Sequence, residues 1–219
     1  MKKYLEILKK CPLFSQIEDE NLLTMLKCLD AKVEFFDKKY TIIAEGNPAK
    51  HIGIMLSGSA QITQSDFYGN RTILTTVEPS QVFAEAFACA QVQTVPVAVT
   101  ANEPCEVMLI DCANILHTCN NNCSFHQQLI FNLMRNLAAK TILIQQKIEI
   151  TSKRSTRDKL MTYLMLQSKK ADSNSFDIPF NRQELADYLE VDRSGLSTEI
   201  GKLCKEGIIK SNRNHFELI

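Results

Sequence analysis

The chain has 219 residues, 25 acidic and 25 basic side chains, and 45% hydrophobic residues, which suits two small globular domains better than one large domain or a disordered chain. No apolar run approaches the roughly 20 residues that a membrane-spanning helix requires. The N-terminus, residues 1–6, lacks the apolar core of a signal peptide, so we expect a cytoplasmic protein without a membrane segment.

Residues 33–110 contain short apolar or alternating segments separated by turn residues, a pattern that predicts β-strands. The predicted strands are 33–36, 41–43, 52–56, 59–63, 72–77, 97–99 and 107–110. Short strands at close, regular spacing assemble into an antiparallel sandwich or barrel. A closed roll of this kind commonly holds a small ligand.

A long helix is predicted from about Ser124 to Ile150, because this segment contains neither Gly nor Pro. Five apolar residues keep close to heptad spacing along it: Ile130, Leu133, Leu137, Ile144 and Ile148. The spacing favours a homodimer in which two such helices pair. An amphipathic helix packed on its own barrel is the alternative, and Leu129, Ile142 and Leu143 widen the stripe enough to serve both surfaces.

Polar residues at 151–153 interrupt the apolar pattern, so a domain boundary is expected near residue 151. Residues 155–158 have the pattern of a capping box for a helix that runs to about Ser168. A polar turn at 172–175 and a short strand at 176–179 follow.

Residues 180–219 carry, in order, the signals of a winged helix-turn-helix. Asn181 and Glu184 have capping-box spacing at the start of one helix, and Asp192 is placed to cap a second helix after a short turn. Gly207 is expected to end that helix. Residues 208–209 and 216–218 predict a hairpin around a turn at 211–214.

In the second helix, Leu196, Ile200 and Leu203 form an inward stripe, which leaves a polar face for the major groove of DNA. The predicted DNA contacts are Arg182, Arg193, Ser194, Ser197, Thr198 and, at the hairpin tip, Arg213. Arginine can pair with guanine or anchor a phosphate, whereas hydroxyl groups discriminate weakly between bases. The small positive excess of residues 151–219 predicts modest, salt-dependent non-specific affinity.

With these parts in order, the chain resembles the Crp/Fnr family of bacterial transcription regulators over essentially its whole length. The resemblance is carried by Cys11-Pro12-Leu13-Phe14, by residues 51–59, and by residues 181–189 with Asp192-Arg193-Ser194. It implies an effector-sensing homodimer that binds double-stranded DNA at a palindromic operator and recruits or obstructs RNA polymerase.

The fold implied by the resemblance is α+β, with an antiparallel β-roll sensor domain, a long dimerisation helix and a C-terminal winged helix-turn-helix domain. The corresponding boundaries in this chain are 1–123, 124–150 and 151–219.

The segment 80–97 resembles the phosphate-binding cassette of family members that bind cyclic AMP, but it departs from their pattern. Glu85 remains, Ala84 replaces a glycine, and Val95-Pro96 stands where those members have arginine and serine. A buried phosphate without a cation or oriented donors loses charge-assisted hydrogen bonds, so tight cyclic AMP binding is not expected.

The predicted effector pocket consists of Phe83, Glu85, Ala86, Val95, Pro96, Ile142 and Leu143. The alternative role for Glu85 is that of a structural cap. The effector is not identified by the sequence, and no cofactor is required by it.

Eight cysteines are many for a cytosolic protein, where disulfides are not expected. The oxygen-sensing branch of the family holds an iron-sulfur cluster on a close run of N-terminal cysteines, whereas Cys11 and Cys28 stand alone here. The short-spaced group His117, Cys119, Cys123 and His126 offers metal-ligand chemistry, but zinc sites usually pair two Cys-x-x-Cys clips. We therefore predict no metal site.

Two other interpretations stay open beside the regulator. One is a thiol- or metal-based redox-sensing regulator of the same fold, and the other is a ligand-binding module that regulates a partner protein without DNA. An enzyme is not predicted, because the sequence has no nucleophile-elbow, phosphate-loop or zinc-protease motif.

Overall fold

The computed structural model describes residues 1–68, 71–116 and 124–219. These residues form two compact units, Met1–Ala139 and Lys140–Ile219, and the division lies inside the longest helix. The predicted α+β class is confirmed by the mixture of helices and antiparallel sheets. None of the described helices is long and apolar enough to cross a membrane.

The described helices are α1 Leu5–Leu8, α2 Asp19–Cys28, α3 Glu85–Cys89, α4 Cys112–Leu116, α5 Ser124–Thr151, α6 Thr156–Ala171, α7 Arg182–Leu189 and α8 Arg193–Lys205. The described strands are β1 Lys32–Phe36, β2 Thr41–Ile43, β3 His51–Ser57, β4 Ala60–Ser65, β5 Arg71–Val77, β6 Val82–Phe83, β7 Ala98–Ala101, β8 Cys105–Asp111, β9 Ser175–Asp177, β10 Ile209–Asn212 and β11 His215–Leu218. Single 3₁₀ turns lie at Lys2–Tyr4 and Pro12–Phe14.

The first unit is built on two four-stranded antiparallel sheets, with strand orders β1-β8-β3-β6 and β2-β7-β4-β5. Side chains alternate between the two faces of a strand. On β3, Met55 therefore packs with Phe83 and Val107 in a core shared by both sheets, whereas Ile54 packs on the opposite face. That opposite face is covered by apolar residues from α1, α2 and α5, among them Leu8, Leu22 and Leu133.

The pairing of β3 with β6 brings Gly53 directly opposite Phe83. A Cβ atom at residue 53 would lie 2.2 Å from Cζ of the Phe83 ring, a distance that real contacts do not show. A glycine is therefore required at residue 53 for the ring to cover the strand.

The second unit contains a three-stranded sheet of order β10-β11-β9 and the helices α6, α7 and α8. Its core includes Ile150 from the end of α5, Tyr163 from α6 and Phe216 from β11. The Nζ atom of Lys147 lies 4.4 Å from the centre of the Tyr188 ring, which connects the last turns of α5 to α7.

The predicted hairpin is present, but its turn is shorter than the predicted 211–214. Strand β10 continues to Asn212 and β11 begins at His215, so that Arg213 and Asn214 alone form the turn. Arg213 adopts a left-handed conformation with φ of 54°. The polar residues Ser211 and Asn212 join the strand because backbone pairing with Phe216 and His215 outweighs their preference for turns.

Candidate nucleic-acid interface and sensor pocket

Helix α7 begins at the predicted capping box, which the geometry confirms. Oδ1 of Asn181 accepts hydrogen bonds from the backbone N–H groups of Gln183 at 2.9 Å and Glu184 at 3.0 Å. In return, Oε2 of Glu184 accepts from the backbone N–H of Asn181 at 2.7 Å. The first turn of α7 is thus fixed by reciprocal bonds within four residues.

Asp192 caps helix α8, as predicted, and Arg193 is the first residue of the helix. Oδ2 of Asp192 accepts hydrogen bonds from the Ser194 hydroxyl and from the Gly195 backbone N–H, both at 2.6 Å. These bonds, that of Ser194 first, hold the pKa of the Asp192 carboxyl below its usual value. The carboxylate fixes the position of the first turn of α8.

The two faces of α8 differ as the sequence predicts. Leu196, Ile200 and Leu203 are buried in the core of the second unit. The opposite face exposes Arg193, Ser194, Ser197 and Thr198. Four of the six predicted DNA contacts therefore lie together on one exposed helical surface.

The hydroxyl groups on this surface are partly committed to local bonds. Ser194 donates its proton to Asp192, and Thr198 donates to the Ser194 backbone carbonyl at 2.9 Å. Each hydroxyl oxygen keeps acceptor capacity. These two side chains are therefore best suited to accept hydrogen bonds from base amino groups, whereas Arg193 supplies donors.

Arg182 occupies a different environment from Arg193. Its Nη2 atom donates to Oγ of Ser211 at 3.2 Å and to the backbone oxygen of Arg213 at 3.3 Å. Its guanidinium carbon lies 5.5 Å from the centre of the Phe216 ring, and burial lowers the pKa of this guanidinium. Arg182 thus joins α7 to the hairpin, a role that sequence reasoning missed, and its contact with DNA stays a prediction.

Arg213, the sixth predicted contact, is exposed at the tip of the hairpin. Between the hairpin and the start of α7 lies a cleft of about 500 Å³, to which Phe180, Asn181 and Asn214 contribute. The tip is thus held by the Arg182 bond to its backbone while the Arg213 side chain remains accessible.

Two residues of the predicted effector pocket, Phe83 and Val95, are buried in different apolar clusters. Phe83 is 2% exposed in the core between the sheets, and Val95 is 1% exposed beside Ala49 and Val97. Pro96, which follows Val95, is exposed. The positions aligned with the phosphate-binding arginine and serine thus provide no charge and no hydroxyl group.

The start of α3 keeps the backbone shape of a glycine turn without the glycine. Ala84 precedes the helix in a left-handed conformation with φ of 61°, and Glu85 is only 3% exposed in the first turn. Ala86 faces solvent. A left-handed alanine is strained because its Cβ approaches the following carbonyl oxygen.

Ile142 and Leu143, the remaining predicted pocket residues, belong to the second unit. They are 53% and 58% exposed on α5. Their part in an effector pocket stays a prediction.

A polar cleft of about 590 Å³ lies on the outward face of the second sheet of the first unit. Arg71 donates from Nε to Oγ1 of Thr63 at 2.9 Å and from Nη2 to Oγ1 of Thr100 at 3.1 Å. Lys38 and Lys39 line the same cleft. Sequence reasoning missed it because the lining residues come from strands that become neighbours only in the folded sheet.

The residues predicted for the dimer helix divide into two groups. Ile130, Leu133 and Leu137 pack against the core of the first unit, whereas Ile144 and Ile148 are 60% and 58% exposed. Other apolar residues of the helix are also exposed. Together with Ile148 they form what we call the α5 stripe: Phe131, Met134, Ile142 and Ile148.

The possible metal-binding group is only partly described. His117, Cys119 and Cys123 lie outside the described residues, whereas His126 is buried with Nε2 2.8 Å from the Ile115 backbone oxygen. Within 1–68, 71–116 and 124–219, no group of three or more His, Cys, Asp or Glu side chains could hold a metal ion.

Comparison with known proteins assigns both parts of the chain. Residues 33–122 match the cyclic nucleotide-binding domain, and residues 158–219 match the Crp-like helix-turn-helix domain. No curated protein matches the chain by sequence.

Solved structures share the fold. Those similar to this chain include DNR from Pseudomonas aeruginosa, at 20% identity and a TM-score of 0.52, covering 100% of this chain and 95% of DNR. Another is the c-di-GMP responsive global regulator CLP from Xanthomonas campestris, at 15% identity and a TM-score of 0.54, covering 91% of this chain and 99% of CLP.

Proposed function

Because the chain belongs to the Crp/Fnr family of DNA-binding transcription regulators, we propose that it acts as a homodimer that recognises a palindromic operator with α8 and responds to an effector other than cyclic AMP. The observation that carries the proposal is the exposed face of α8, on which Arg193 and three hydroxyl side chains stand together above a buried apolar stripe.

Base recognition is assigned to the first half of α8. In helix-turn-helix proteins the N-terminal residues of the second helix contact base edges in the major groove. Arg193 is the first residue of α8, and Ser197 and Thr198 lie one turn further along the same exposed face. Arg193 is assigned to a guanine or phosphate, and Ser194 and Thr198 to base amino groups.

Dimerisation is assigned to the α5 stripe. Its four apolar side chains are between 53% and 64% exposed in the single chain, and burying them against a second copy removes apolar surface from water. A dimer also presents two α8 helices to two half-sites, which accounts for operator palindromy.

The effector is assigned to a class other than cyclic AMP because of the environment of residue 95. Val95 is buried among apolar side chains, so a cyclic phosphate placed there would lose the charge-assisted bonds that an arginine provides. The left-handed Ala84 also supports the proposal, because it forms a glycine-like turn before α3 while residues 95 and 96 offer no anion contact.

DNA binding is tested with the full chain by selecting sites from random duplex DNA at low salt, followed by affinity measurements on the enriched site. We expect an enriched palindrome and a loss of about 1–3 kcal/mol in binding per half-site for Arg193→Ala. Lys170→Ala removes the same charge from an exposed position on α6 and should change the affinity far less. Absence of any binding to duplex DNA at low salt would refute DNA recognition, because the sequence-independent attraction to phosphates is strongest there.

The dimer is tested with two substitutions of equal exposure on α5. Ile148 belongs to the α5 stripe and Leu143 lies on another side of the helix, and both are 58% exposed. We expect Ile148→Lys to sediment as a monomer at micromolar concentration while Leu143→Lys remains dimeric. Equal sedimentation of the two variants would argue against the α5 stripe as the dimer contact.

The effector class is tested by titrating the full chain with cyclic AMP in a calorimeter and by measuring operator affinity with and without the nucleotide. We expect no heat of binding at millimolar cyclic AMP and an unchanged affinity. A tenfold rise in operator affinity with cyclic AMP would contradict this assignment.

A further inference from the structure

Two cysteine thiols of the first unit are in contact where α3 and α4 meet. Cys89 is the last residue of α3, Cys112 is the first residue of α4, and their sulfur atoms lie 3.5 Å apart although the residues are 23 positions apart in sequence. We propose that Cys89 and Cys112 form a reversible disulfide when the chain meets a hydroperoxide, which covalently ties α3 to α4. This modification site is independent of whether the chain binds DNA.

The separation of the two sulfur atoms is close to that required for bond formation. A disulfide has a sulfur–sulfur length of about 2.0 Å, so the atoms must approach by roughly 1.5 Å. Both cysteines lie at the ends of five-residue helices, Glu85–Cys89 and Cys112–Leu116. A change of side-chain torsion at such ends does not require a packed strand to move.

The two thiols differ in exposure and therefore have different roles in the reaction. Cys112 is 3% exposed within the apolar core, beside residues such as Ala88 and Ile115. Cys89 is half-buried at the edge of the same core. Cys89 is therefore the thiol that a small oxidant reaches, and Cys112 is the thiol that completes the disulfide.

The reaction balances with a hydroperoxide as oxidant. The Cys89 thiolate attacks one oxygen of the peroxide, the O–O bond breaks, and the second oxygen leaves and takes up a proton, which gives a sulfenic acid on Cys89. The Cys112 thiol then attacks the sulfenic sulfur, the S–S bond forms, and the sulfenic oxygen leaves as water with the released proton. Two thiols are oxidised to one disulfide, and hydrogen peroxide is reduced to two molecules of water. A dithiol reverses the bond by exchange.

The electrostatic surroundings slow the reaction at neutral pH. Burial raises the pKa of the Cys89 thiol, assisted by the charge of Glu85, and burial together with the neighbouring thiol and Asp111 raises the pKa of Cys112 to about 12. Since the thiolate is the nucleophile, the rate should rise with pH, about tenfold per unit while the thiol form predominates. The pair is therefore suited to sustained oxidation rather than to a rapid signal.

The test uses the reduced full chain, treated with hydrogen peroxide at pH 7 and pH 8, blocked with N-ethylmaleimide, digested, and mapped by mass spectrometry. We expect a peptide pair joined through Cys89 and Cys112 with the loss of two hydrogen atoms, formed about tenfold faster at pH 8 and separated by dithiothreitol. Cys112→Ser should abolish the joined peptides and leave Cys89 as a sulfenic acid that dimedone traps. Cys204→Ser, which removes an exposed thiol from the second unit, should keep the joined peptides.

Mapping of the unsubstituted chain decides the proposal even if a variant fails to fold. The proposal would be overturned if maleimide still labelled both Cys89 and Cys112 after peroxide had oxidised the exposed thiol of Cys204. Joined peptides that form as quickly in urea as in the folded chain would also overturn it, because the contact between α3 and α4 would then play no part.

Discussion

The two compact units differ in how polar their predicted binding surfaces are. In the second unit, the side chains of Asn181 and Asp192 accept hydrogen bonds from the first turns of α7 and α8, and the polar face of α8 is exposed. In the first unit, the segment 80–97, which was predicted to contribute to an effector pocket, has Val95 buried and Ala84 in a left-handed conformation. Bonds between near neighbours in sequence thus set the exposed face of α8, whereas packing between distant residues sets the surroundings of Val95.

Truncation of the core below α8 should have the largest effect on the second unit. Leu196 is fully buried, so Leu196→Ala should lower the free energy of unfolding by about 2–5 kcal/mol because it leaves a cavity. Ser197→Ala removes atoms from the adjacent exposed position and should change it by about 0.5 kcal/mol or less. Urea denaturation measures both variants. If both variants unfolded at the same urea concentration, the exposed face of α8 would not rest on the packed core described above.

The corresponding test of the first unit is Gly53→Ala, which places a methyl group against the Phe83 ring. Overpacking of this kind costs about 1–3 kcal/mol of unfolding free energy. Phe83→Leu in the same chain shortens the obstructing side chain, so the double variant should be more stable than the sum of the two single changes predicts. Additive losses in urea denaturation would mean that residue 53 and the ring do not compete for the same space.

The difference between the units also explains what could be predicted from the sequence. The caps at Asn181 and Asp192 act on backbone groups at most three residues away, so a short pattern suffices to find them. The long helix, predicted from about Ser124 to Ile150, spans Ser124–Thr151 in the structure, because its length and lack of Gly and Pro are local properties. The predicted strands of the first unit are present, and all except 41–43 have shifted ends, since alternation locates a strand better than it locates the residues at which the strand ends.

Features that depend on distant residues were missed. Arg182 binds residues 29 and 31 positions away. The two-residue strand β6 exists through its pairing with β3. Heptad spacing could not distinguish the face of α5 on the core of its own unit, where Leu133 lies, from the exposed face, where Phe131 lies. The residues predicted for the effector pocket come from distant parts of the chain, which is why the sequence does not identify a ligand.

A smaller effect on the melting temperature separates the contribution of the Asp192 charge from that of its hydrogen-bonding geometry. Asp192→Asn keeps a side-chain oxygen that can accept from Gly195 but removes the carboxylate. Because hydrogen bonds from Ser194 and Gly195 depress the pKa of the folded-state carboxyl, its contribution to stability is present above the usual value of 3.8 and is lost as the pH falls through the depressed value. We therefore expect the unsubstituted chain to melt above the variant at pH 7 and at the same temperature near pH 2. A melting difference that persists at pH 2 would assign the effect to shape.

The smallest predicted effect tests whether the turn before α3 retains strain. Ala84 has φ of 61°, so Ala84→Gly should relieve the clash of its Cβ and raise the free energy of unfolding by about 0.5–1 kcal/mol, after the greater entropy of glycine in the unfolded chain is deducted. Ala86→Gly makes the same change two residues later within the helix and should lower the stability by about 0.5–1 kcal/mol. Opposite signs in urea denaturation would show that the first unit keeps a glycine-shaped turn under strain. Equal losses at both residues would instead show that the alanine is compatible with this turn, and the contrast between the two units would then rest on the buried Val95 alone.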